Sequence, residues 1–364
     1  MSTYVTSPLA RGLLAMVVLG WTCIAHAELA VGSFANPGQV RIFADGAAGN
    51  APPFLTIGGP ATGLQTPASM AFEPYDIEMY VSDYDGRTIR VFDPRLTGDQ
   101  LPIRTLNLPV RPVRMIVHHI YTGLTFVGFG VYTYAPAASG NTPPARVIDW
   151  GGAPGSVTRL DAPAGLVALA STDELVVGDF ERSSESGEIL AFPRTANGNV
   201  APAREIRGPL TALGSNVVDL AIDRSRCELY ALVIVAAGGR ASRVAVFHAL
   251  DEGNVEPQRV IEGPLTLIDG AGGIEFDAAN DRLWVTTGYD AGTTPRLLAF
   301  SSTADGNVAP VAVVEGSATG LSVPFDVLPY QLPDPMFGDG FEELEPMRVL
   351  RRPLGGPPEE RCDR

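Results

Sequence analysis

Short apolar runs that end on an aromatic residue recur along the chain. Two examples are residues 40–43 and 244–247, which are rich in β-branched side chains. Runs of this length and composition are typical of β-strands. The pattern therefore predicts a chain built from many short strands.

Six of these runs are followed by the same polar pattern. Seven residues after the aromatic residue comes Asn or Asp, three residues later comes proline, and four residues later comes an aliphatic residue. A Gly-Asn step tolerates left-handed backbone and predicts a turn, and a proline suits the start of the next strand. Each copy is therefore predicted to be strand, turn, strand. The Asn or Asp positions are Asn50, Asp99, Asn141, Asn199, Asn254 and Asn307.

The intervals between the copies hold two further strands each. From aromatic to aromatic the copies are 42–58 residues apart, and the first interval contains strand patterns at residues 67–73 and 78–83. The equivalent patterns lie at residues 163–169 and 174–179, 218–223 and 228–233, and 271–277 and 282–287. Four strands in a repeat of about 50 residues indicate a β-propeller blade. A β-solenoid is the alternative, but its coils are shorter and parallel.

The two ends of the patterned region predict how the ring closes. Residues 29–34, 39–43 and 54–57 match second, third and fourth strands, whereas residues 324–330 match a first strand. Pairing them completes a sixth blade and removes the open edges that invite aggregation. We therefore predict an all-β, six-bladed β-propeller with four-stranded blades, whose last blade is closed by three N-terminal strands and one C-terminal strand.

The blade unit resembles that of a known family. Residues 78–83 read Glu-Met-Tyr-Val-Ser-Asp, after a Pro-x-x-hydrophobic-x-hydrophobic unit and before a hydrophobic-x-Val-Phe unit. This order is similar to the blades of the NHL-repeat and SMP-30/gluconolactonase-like six-bladed propellers, and the Gly-Asn-Val-x-Pro extension resembles secreted bacterial proteins of that kind. The resemblance covers nearly all of residues 28–329. It implies the fold, because the shared residues are structural.

Residues 1–27 predict a secretory signal peptide. Arg11 provides the positive charge, residues 12–24 are apolar, and Ala25-His26-Ala27 is a cleavage site of small residues. This apolar stretch is shorter than the roughly 20 residues needed to cross a bilayer. We therefore expect a secreted, periplasmic or cell-surface monomer without a membrane span, cleaved near Ala27, with the propeller at residues 28–330.

Residues 331–364 differ in composition and predict a flexible tail, because they are rich in Pro, Glu and Arg and lack strand alternation. Residues 337–342 resemble a sorting or docking element of secreted Gram-negative proteins; the alternative is that the two phenylalanines fold back onto the propeller. Export permits a disulfide between Cys227 and Cys362. We expect both to be unpaired, since one ends a strand turn and the other lies in the polar tail.

Charge narrows the range of partners. All 26 basic residues are arginine, and the net charge is −15. Without lysine, Schiff-base chemistry at a lysine is excluded. The negative charge argues against nucleic acid, whose phosphates require a basic surface, and against anionic membranes.

The first strands are expected to line the central channel, so aligned positions form rings. The most polar ring, predicted near the channel mouth, contains Ser69, Arg114, Gly165, Asp219, Gly273 and Asp326. Asp219 and Asp326 could hold calcium or another divalent cation, and Arg114 could hold a small polar ligand. Alternatively, Arg114 only neutralises the two carboxylates. Glu275, one step deeper, could join the acidic cluster or meet Arg114.

The sequence supplies no nucleophile with a base and no complete metal shell. His118 and His119 are adjacent in a predicted strand and therefore point to opposite faces. We expect a binding or scaffold protein for a protein partner or a small polar ligand. The alternative is a metal-dependent lactonase-type hydrolase at the channel mouth. The family resemblance implies Glu, Asn and Asp ligands there, and only Asp219 and Asp326 occupy equivalent positions.

Overall fold

The fold is known from a computed structural model, which describes residues 27–332, apart from residues 75, 119–121, 151, 153–154, 236–240 and 291, together with Cys362. Within these residues the chain forms six four-stranded antiparallel sheets. The prediction of an all-β, six-bladed propeller is confirmed. The described helices are single 3-10 turns at Pro60–Thr62, Pro264–Thr266 and Ser317–Thr319, and none is long and apolar enough to cross a membrane.

The strands follow the chain blade by blade. Blade 6 combines β24 (Pro324–Gln331) with β1 (Ala27–Ser33), β2 (Gln39–Ala44) and β3 (Leu55–Gly58). The other blades are, in order, β4 (Pro67–Glu73), β5 (Glu78–Asp83), β6 (Thr88–Phe92) and β7 (Arg104–Asn107); β8 (Arg114–His118), β9 (Gly123–Val127), β10 (Val131–Tyr134) and β11 (Arg146–Ile148); β12 (Gly165–Leu169), β13 (Glu174–Glu181), β14 (Ser186–Pro193) and β15 (Arg204–Ile206); β16 (Asn216–Asp223), β17 (Glu228–Ile234), β18 (Ser242–His248) and β19 (Arg259–Ile261); and β20 (Ala271–Asp277), β21 (Arg282–Thr287), β22 (Arg296–Ser301) and β23 (Ala312–Val314).

The ring closes as predicted from the sequence. Strand β1 pairs antiparallel with both β2 and β24, with Ala30 opposite Leu328. Blade 6 is therefore made from the two ends of the propeller segment: β1 becomes an inner strand, and β24 gains a partner as the first strand of the blade.

The repeated aromatic residue and the repeated aliphatic residue meet between neighbouring blades. Phe92 of blade 1 is buried in one apolar cluster with Ile57 of blade 6, and Phe300 of blade 5 is buried with Ile261 of blade 4. The other four pairs follow the same rule, namely Phe43 with Val314, Tyr134 with Leu106, Phe192 with Ile148 and Phe247 with Ile206. The repeat is thus a packing unit for the blade-to-blade contact, and it drives assembly by removing apolar surface from water.

The glycine before the repeated Asn or Asp also joins neighbouring blades, which the sequence analysis did not foresee. Gly98 of blade 1 bridges Ile57 of blade 6, and its N–H donates to the Thr56 carbonyl at 2.7 Å. Gly49 of blade 6 bridges Val314 of blade 5, so the belt of bonds continues through the closure. These glycines have positive φ, for example 84° at Gly98, a conformation that favours glycine. The remaining bridges are Leu106 to Gly140, Ile148 to Gly198, Ile206 to Gly253 and Ile261 to Gly306.

The repeated Asn or Asp side chain also stabilises the contact between neighbouring blades. Asn50 accepts the N–H of Ala318 at 2.7 Å, and Asn254 accepts that of Leu210 at 2.9 Å. Asp99, Asn199 and Asn307 bind the N–H groups of Ala61, Val157 and Leu265 in the same way. The predicted role of the Gly-Asn step as a local turn was therefore incomplete. The repeated proline also lies two residues before the fourth strand rather than opening it, as Pro102 before Arg104 shows.

A disulfide joins Cys227 to Cys362, with Cα atoms 5.4 Å apart. Both cysteines are buried in the apolar cluster of blades 3 and 4, beside Leu169 and Leu250. The expectation that they are unpaired was wrong, because the composition of the tail says nothing about one of its residues docking across 135 positions of sequence.

The predicted tail begins one residue too early, because Gln331 belongs to β24 and lies opposite Ala27. Residues 333–361, which include 337–342, and residues 363–364 lie outside the described residues.

Replacing Cys362 by serine is expected to lower the free energy of unfolding by about 2–4 kcal/mol, because the link no longer restricts the unfolded chain. Urea unfolding without reductant measures this loss. Cys227→Ser should lose a comparable amount, and the double variant should lose no more than either single variant. Additive losses would show that the two residues act independently and that no bond joins them.

Candidate functional site

The six positions of the predicted ring do come together in the channel. We call Ser69, Arg114, Gly165, Asp219, Gly273 and Asp326 the polar ring. Its four polar side chains belong to residues that are only 2–6 % exposed. The ring therefore does not lie open at the channel mouth as expected, but is enclosed between the blades.

Bulges in the first strands prepare the ring. The pairing register shifts between Pro67 and Ser69 in β4, between Val217 and Asp219 in β16, and between Ala271 and Ile274 in β20, and Phe325 of β24 has no residue opposite it. A bulge leaves an extra residue outside the ladder and re-aims its backbone groups. The carbonyls of Ala68, Gly272 and Phe325 are thereby free to accept bonds from a side chain.

The Arg114 side chain donates hydrogen bonds to those carbonyls. Its Nη1 donates to the Ala68 carbonyl at 3.0 Å, and its Nη2 donates to the carbonyls of Gly272 and, at 3.1 Å, Phe325. Its Nε lies 2.9 Å from Oδ1 of Asp219. One guanidinium on blade 2 thus binds blades 1, 4, 5 and 6, using the planar fork of donors that distinguishes arginine from lysine.

The other polar ring members bind the next blade. Asp326 accepts the Met70 N–H at 2.6 Å, and Asp219 accepts the Ile274 N–H at 3.0 Å through Oδ2. The Ser69 hydroxyl accepts the Met115 N–H at 3.2 Å. In each case the donor follows the ring position of the neighbouring blade by one residue.

The two glycines of the ring are required by close approach. A Cβ on Gly273 would lie 2.5 Å from the Phe325 carbonyl oxygen. A Cβ on Gly165 would lie 2.9–3.0 Å from atoms of Asp219 and Leu220. The small residues of the ring therefore let the neighbouring first strands meet.

The ring holds two carboxyl groups and one guanidinium. Burial raises the pKa of Asp219 to about 6, against the lowering effect of Arg114 and with a further rise from Asp326. Burial also raises the pKa of Asp326, again opposed by Arg114. The two carboxyls, which the sequence nominated as metal ligands, therefore share one cation that belongs to the chain itself. This contact is the neutralising role that the sequence analysis gave as its alternative for Arg114.

An aromatic cluster covers the ring on the face where the first strands begin. We call Phe34, Tyr84, Tyr289 and Phe325 the aromatic cap; Phe34 lies 4.8 Å from Phe325 and 5.4 Å from Tyr84, between ring centroids. The Arg114 guanidinium lies 4.3 Å from the Phe325 ring centroid. Sequence analysis missed this cap. Phe34 and Tyr84 occupy the same repeat position, directly after the second strand of their blades, which is a signal that could have found them. Tyr289 and Phe325 come from other positions of blades 5 and 6.

A cavity of about 260 Å³ lies on the other side of the polar ring. We call it the channel cavity. It extends from Arg114 to half-buried residues at the far ends of the first strands, His118, Ala170 and Arg224. The second layer of the first strands contributes Ala71, Ile116, Val167, Glu275 and Leu328 to its wall.

Glu275 is the carboxyl group of the channel cavity. Burial, together with the negative charge of Asp219, raises its pKa to about 8, while Arg224 opposes this rise. At neutral pH most of the Glu275 side chains are therefore protonated and can donate a hydrogen bond. The Phe276 N–H donates to its Oε1 at 3.1 Å. Glu275 therefore takes no part in the polar ring contacts described above. The arginine that lowers its pKa is Arg224 and not Arg114.

The loop between β5 and β6 has an Asp-x-Asp-Gly sequence that resembles part of a calcium loop. Its first carboxylate, Asp83, is buried and accepts the N–H groups of Gln65 and Thr66 at 2.9 and 2.8 Å. Asp179 of blade 3 accepts those of Asp161 and Ala162 in the same way. These carboxylates hold the connections between blades.

Two solved structures share the fold. A chain of the nidogen/laminin complex matches with a TM-score of 0.54 and 13 % identity, covering 83 % of this chain and 97 % of that chain. The WD40 β-propeller domain of Doa1 matches with a TM-score of 0.50 and 11 % identity, covering 80 % and 79 %. At these identities the likeness shows the propeller fold alone. No protein-family model matches the chain, and no curated protein matches it by sequence.

Proposed function

We propose that the protein is an exported binding protein and not an enzyme. One observation carries this proposal: the polar ring at the centre of the propeller is used to hold the blades together. Arg114 binds four other blades across the channel, and Asp219 and Asp326 each accept a backbone N–H of the next blade. Groups engaged in this way are poor candidates for a nucleophile, a base or a metal ligand. The predicted signal peptide supports export.

We propose the channel cavity as the binding site of a small molecule. The layer around Glu275 is apolar, with Ile116, Val167 and Leu328. Polar groups line the cavity at its two ends, for example Arg114 and Arg224. Pockets of this kind combine apolar walls with a few polar groups that orient the ligand. We therefore propose a compact, mostly apolar ligand with one hydrogen-bond acceptor, which the protonated Glu275 carboxyl binds.

2-Methoxynaphthalene is a suitable probe, because its ether oxygen accepts a hydrogen bond but cannot donate one and does not ionise, and its fluorescence reports binding. We expect it to bind at pH 6 and to bind about three- to tenfold more weakly at pH 9.5, where Glu275 is ionised and the hydrogen bond that it donates is lost. Glu275→Gln should keep the binding and lose the pH dependence. Val167→Trp and Leu328→Trp, which fill the cavity from two different blades, should abolish it.

Thermal melting of each variant shows whether it is folded. If folded Val167→Trp and Leu328→Trp bind the probe as the wild type does, the channel cavity is not the site. If the Glu275→Gln variant keeps the pH dependence, another group titrates and the proposed role of Glu275 is wrong.

A further inference from the structure

A second cavity, of about 480 Å³, lies where blades 1, 2 and 3 meet, on the face that carries the aromatic cap. The turns after β5, β9 and β13 and the connections before β8 and β12 form its wall. Arg87, Arg111 and Arg182 line it, and we call it the arginine pocket. Three arginines in one cavity are unexpected in a chain of net charge −15.

The positive charge of this pocket is only partly balanced. Arg111 lies 3.2 Å from Asp85, and Arg182 lies 3.4 Å from Asp161, in N to O distance. The two arginine side chains remain 48 % and 53 % exposed. Arg87 is exposed and forms no ion pair with any residue of the described part of the chain. Three guanidinium groups therefore face two carboxylates, and exposed donors remain for an anion.

Aromatic side chains flank the guanidinium groups. Arg111 lies 4.9 Å from the ring centroid of Tyr84, which also belongs to the aromatic cap. Phe129 lines the pocket with 54 % of its surface exposed. Trp150 packs edge-on against Phe129 at 6.1 Å between centroids and is 38 % exposed. The pocket thus offers flat apolar surfaces beside planar cations.

We propose that the arginine pocket binds a carboxylate carried on a six-membered ring. An arginine fork matches a carboxylate in a two-bond geometry, and the exposed aromatic surfaces can stack on the ring that bears it. The cavity volume lies within the roughly 300–1,000 Å³ of small-molecule sites. An aromatic acid and a uronic acid sugar both offer this chemistry. A long polyanion does not suit the site, because the rest of the acidic surface repels it.

This inference adds a site to the binding function proposed above and rests on that function. The two sites lie on opposite sides of the polar ring and have different chemistry. The channel cavity takes a neutral, mostly apolar molecule, whereas the arginine pocket takes an anion. They can therefore be tested independently.

The test titrates the mature protein with benzoate and, separately, with trigalacturonate, neither of which emits in the tryptophan range, and follows tryptophan fluorescence. Trp284 is buried, and Trp21 is removed with the predicted signal peptide, so the signal from the surface comes from Trp150. We expect one of the two probes to bind and to bind more weakly as salt is raised. Arg87→Gln and Arg182→Gln should each weaken binding at least about tenfold, because each removes a charge-assisted hydrogen bond.

Arg95→Gln is the matched control, because Arg95 is an equally exposed arginine, at 57 %, on the turn between β6 and β7. It should bind like the wild type. The probe that binds identifies the source of the carboxylate. The proposal is overturned if neither probe binds, or if Arg87→Gln and Arg182→Gln bind like Arg95→Gln. Val167→Trp should leave carboxylate binding unchanged, so failure of the channel cavity is distinguishable from failure of this pocket.

Discussion

Replacing Arg114 by methionine is expected to lower the free energy of unfolding by about 3–5 kcal/mol, because a buried ion pair is broken and its partner keeps an uncompensated charge. The carbonyls of Ala68, Gly272 and Phe325 lose their donor in the same change. Methionine fills a similar length of the channel, so the loss reports the guanidinium rather than an empty space. Urea unfolding followed by circular dichroism measures it.

The loss should depend on pH. In the wild type, burial holds the pKa of Asp219 at about 6, above the ordinary aspartate value of about 3.9. The folded state therefore binds more protons than the unfolded state between these values, and stability falls as the pH rises through this window. Removing Arg114 raises both carboxyl pKa values further and extends the window upward. Relative to the wild type, the Arg114→Met variant should therefore lose more stability at pH 8 than at pH 5.

Two controls make this result specific. Arg95→Met removes an exposed arginine and should cost little, and Asp219→Asn in the Arg114→Met background should restore part of the lost stability. A pH-independent loss would contradict the electrostatic explanation.

A calcium titration tests the alternative of a metal-dependent hydrolase. If calcium stabilises the wild type and Asp326→Asn abolishes this stabilisation, the hydrolase is favoured.

Removing residues 28–58 from the mature chain is expected to prevent a monomeric propeller from forming. These residues contain the second, third and fourth strands of blade 6, so their loss leaves β24 without its partner β1. It also removes Gly49 and Ile57, which bridge to blades 5 and 1. The edge of β24 that paired with β1 and the apolar faces of blades 1 and 5 become exposed, and such an edge pairs with other chains. Size-exclusion chromatography with light scattering should show aggregates.

A chain that ends at residue 332 is the matched control. It keeps all strands and should remain a monomer, but it should lose the same stability as Cys362→Ser, because it lacks that half of the disulfide. A monomeric product after removal of residues 28–58 would contradict the closure. A stable monomer without the tail and without any loss would contradict the disulfide.

The strands could be predicted from the sequence wherever the alternation of apolar and polar residues and the flanking turn residues indicate the same strand bounds. The bounds of β4, β5, β20 and β21 match the predicted bounds, because alternation and flanking polar residues are local signals. The predicted strand at residues 163–169 begins only at Gly165, since the preceding proline lies in the connection between blades. The polar ring was also found by alignment, since equivalent positions of the first strands share one level of the channel.

The uses of those residues could not be predicted in the same way. The contacts of Arg114 depend on bulges in three other blades, and the aromatic cap joins residues of blades 1, 5 and 6 that lie far apart in the sequence. The arginine pocket likewise combines turns from blades 1, 2 and 3. The order of residues along the chain does not show how far apart such positions lie in the folded protein.

The sequence by itself determined the number of blades, their strand order and the closure, because each rests on a periodic pattern and on local backbone preference. Only the tertiary structure decided that the repeated Gly-Asn step joins neighbouring blades, that Cys227 and Cys362 are bonded, and that the polar ring holds the propeller together. The physical reason is that hydrogen bonds and ion pairs act over about 3–4 Å. Which groups come within that distance is decided by the packing of all six blades.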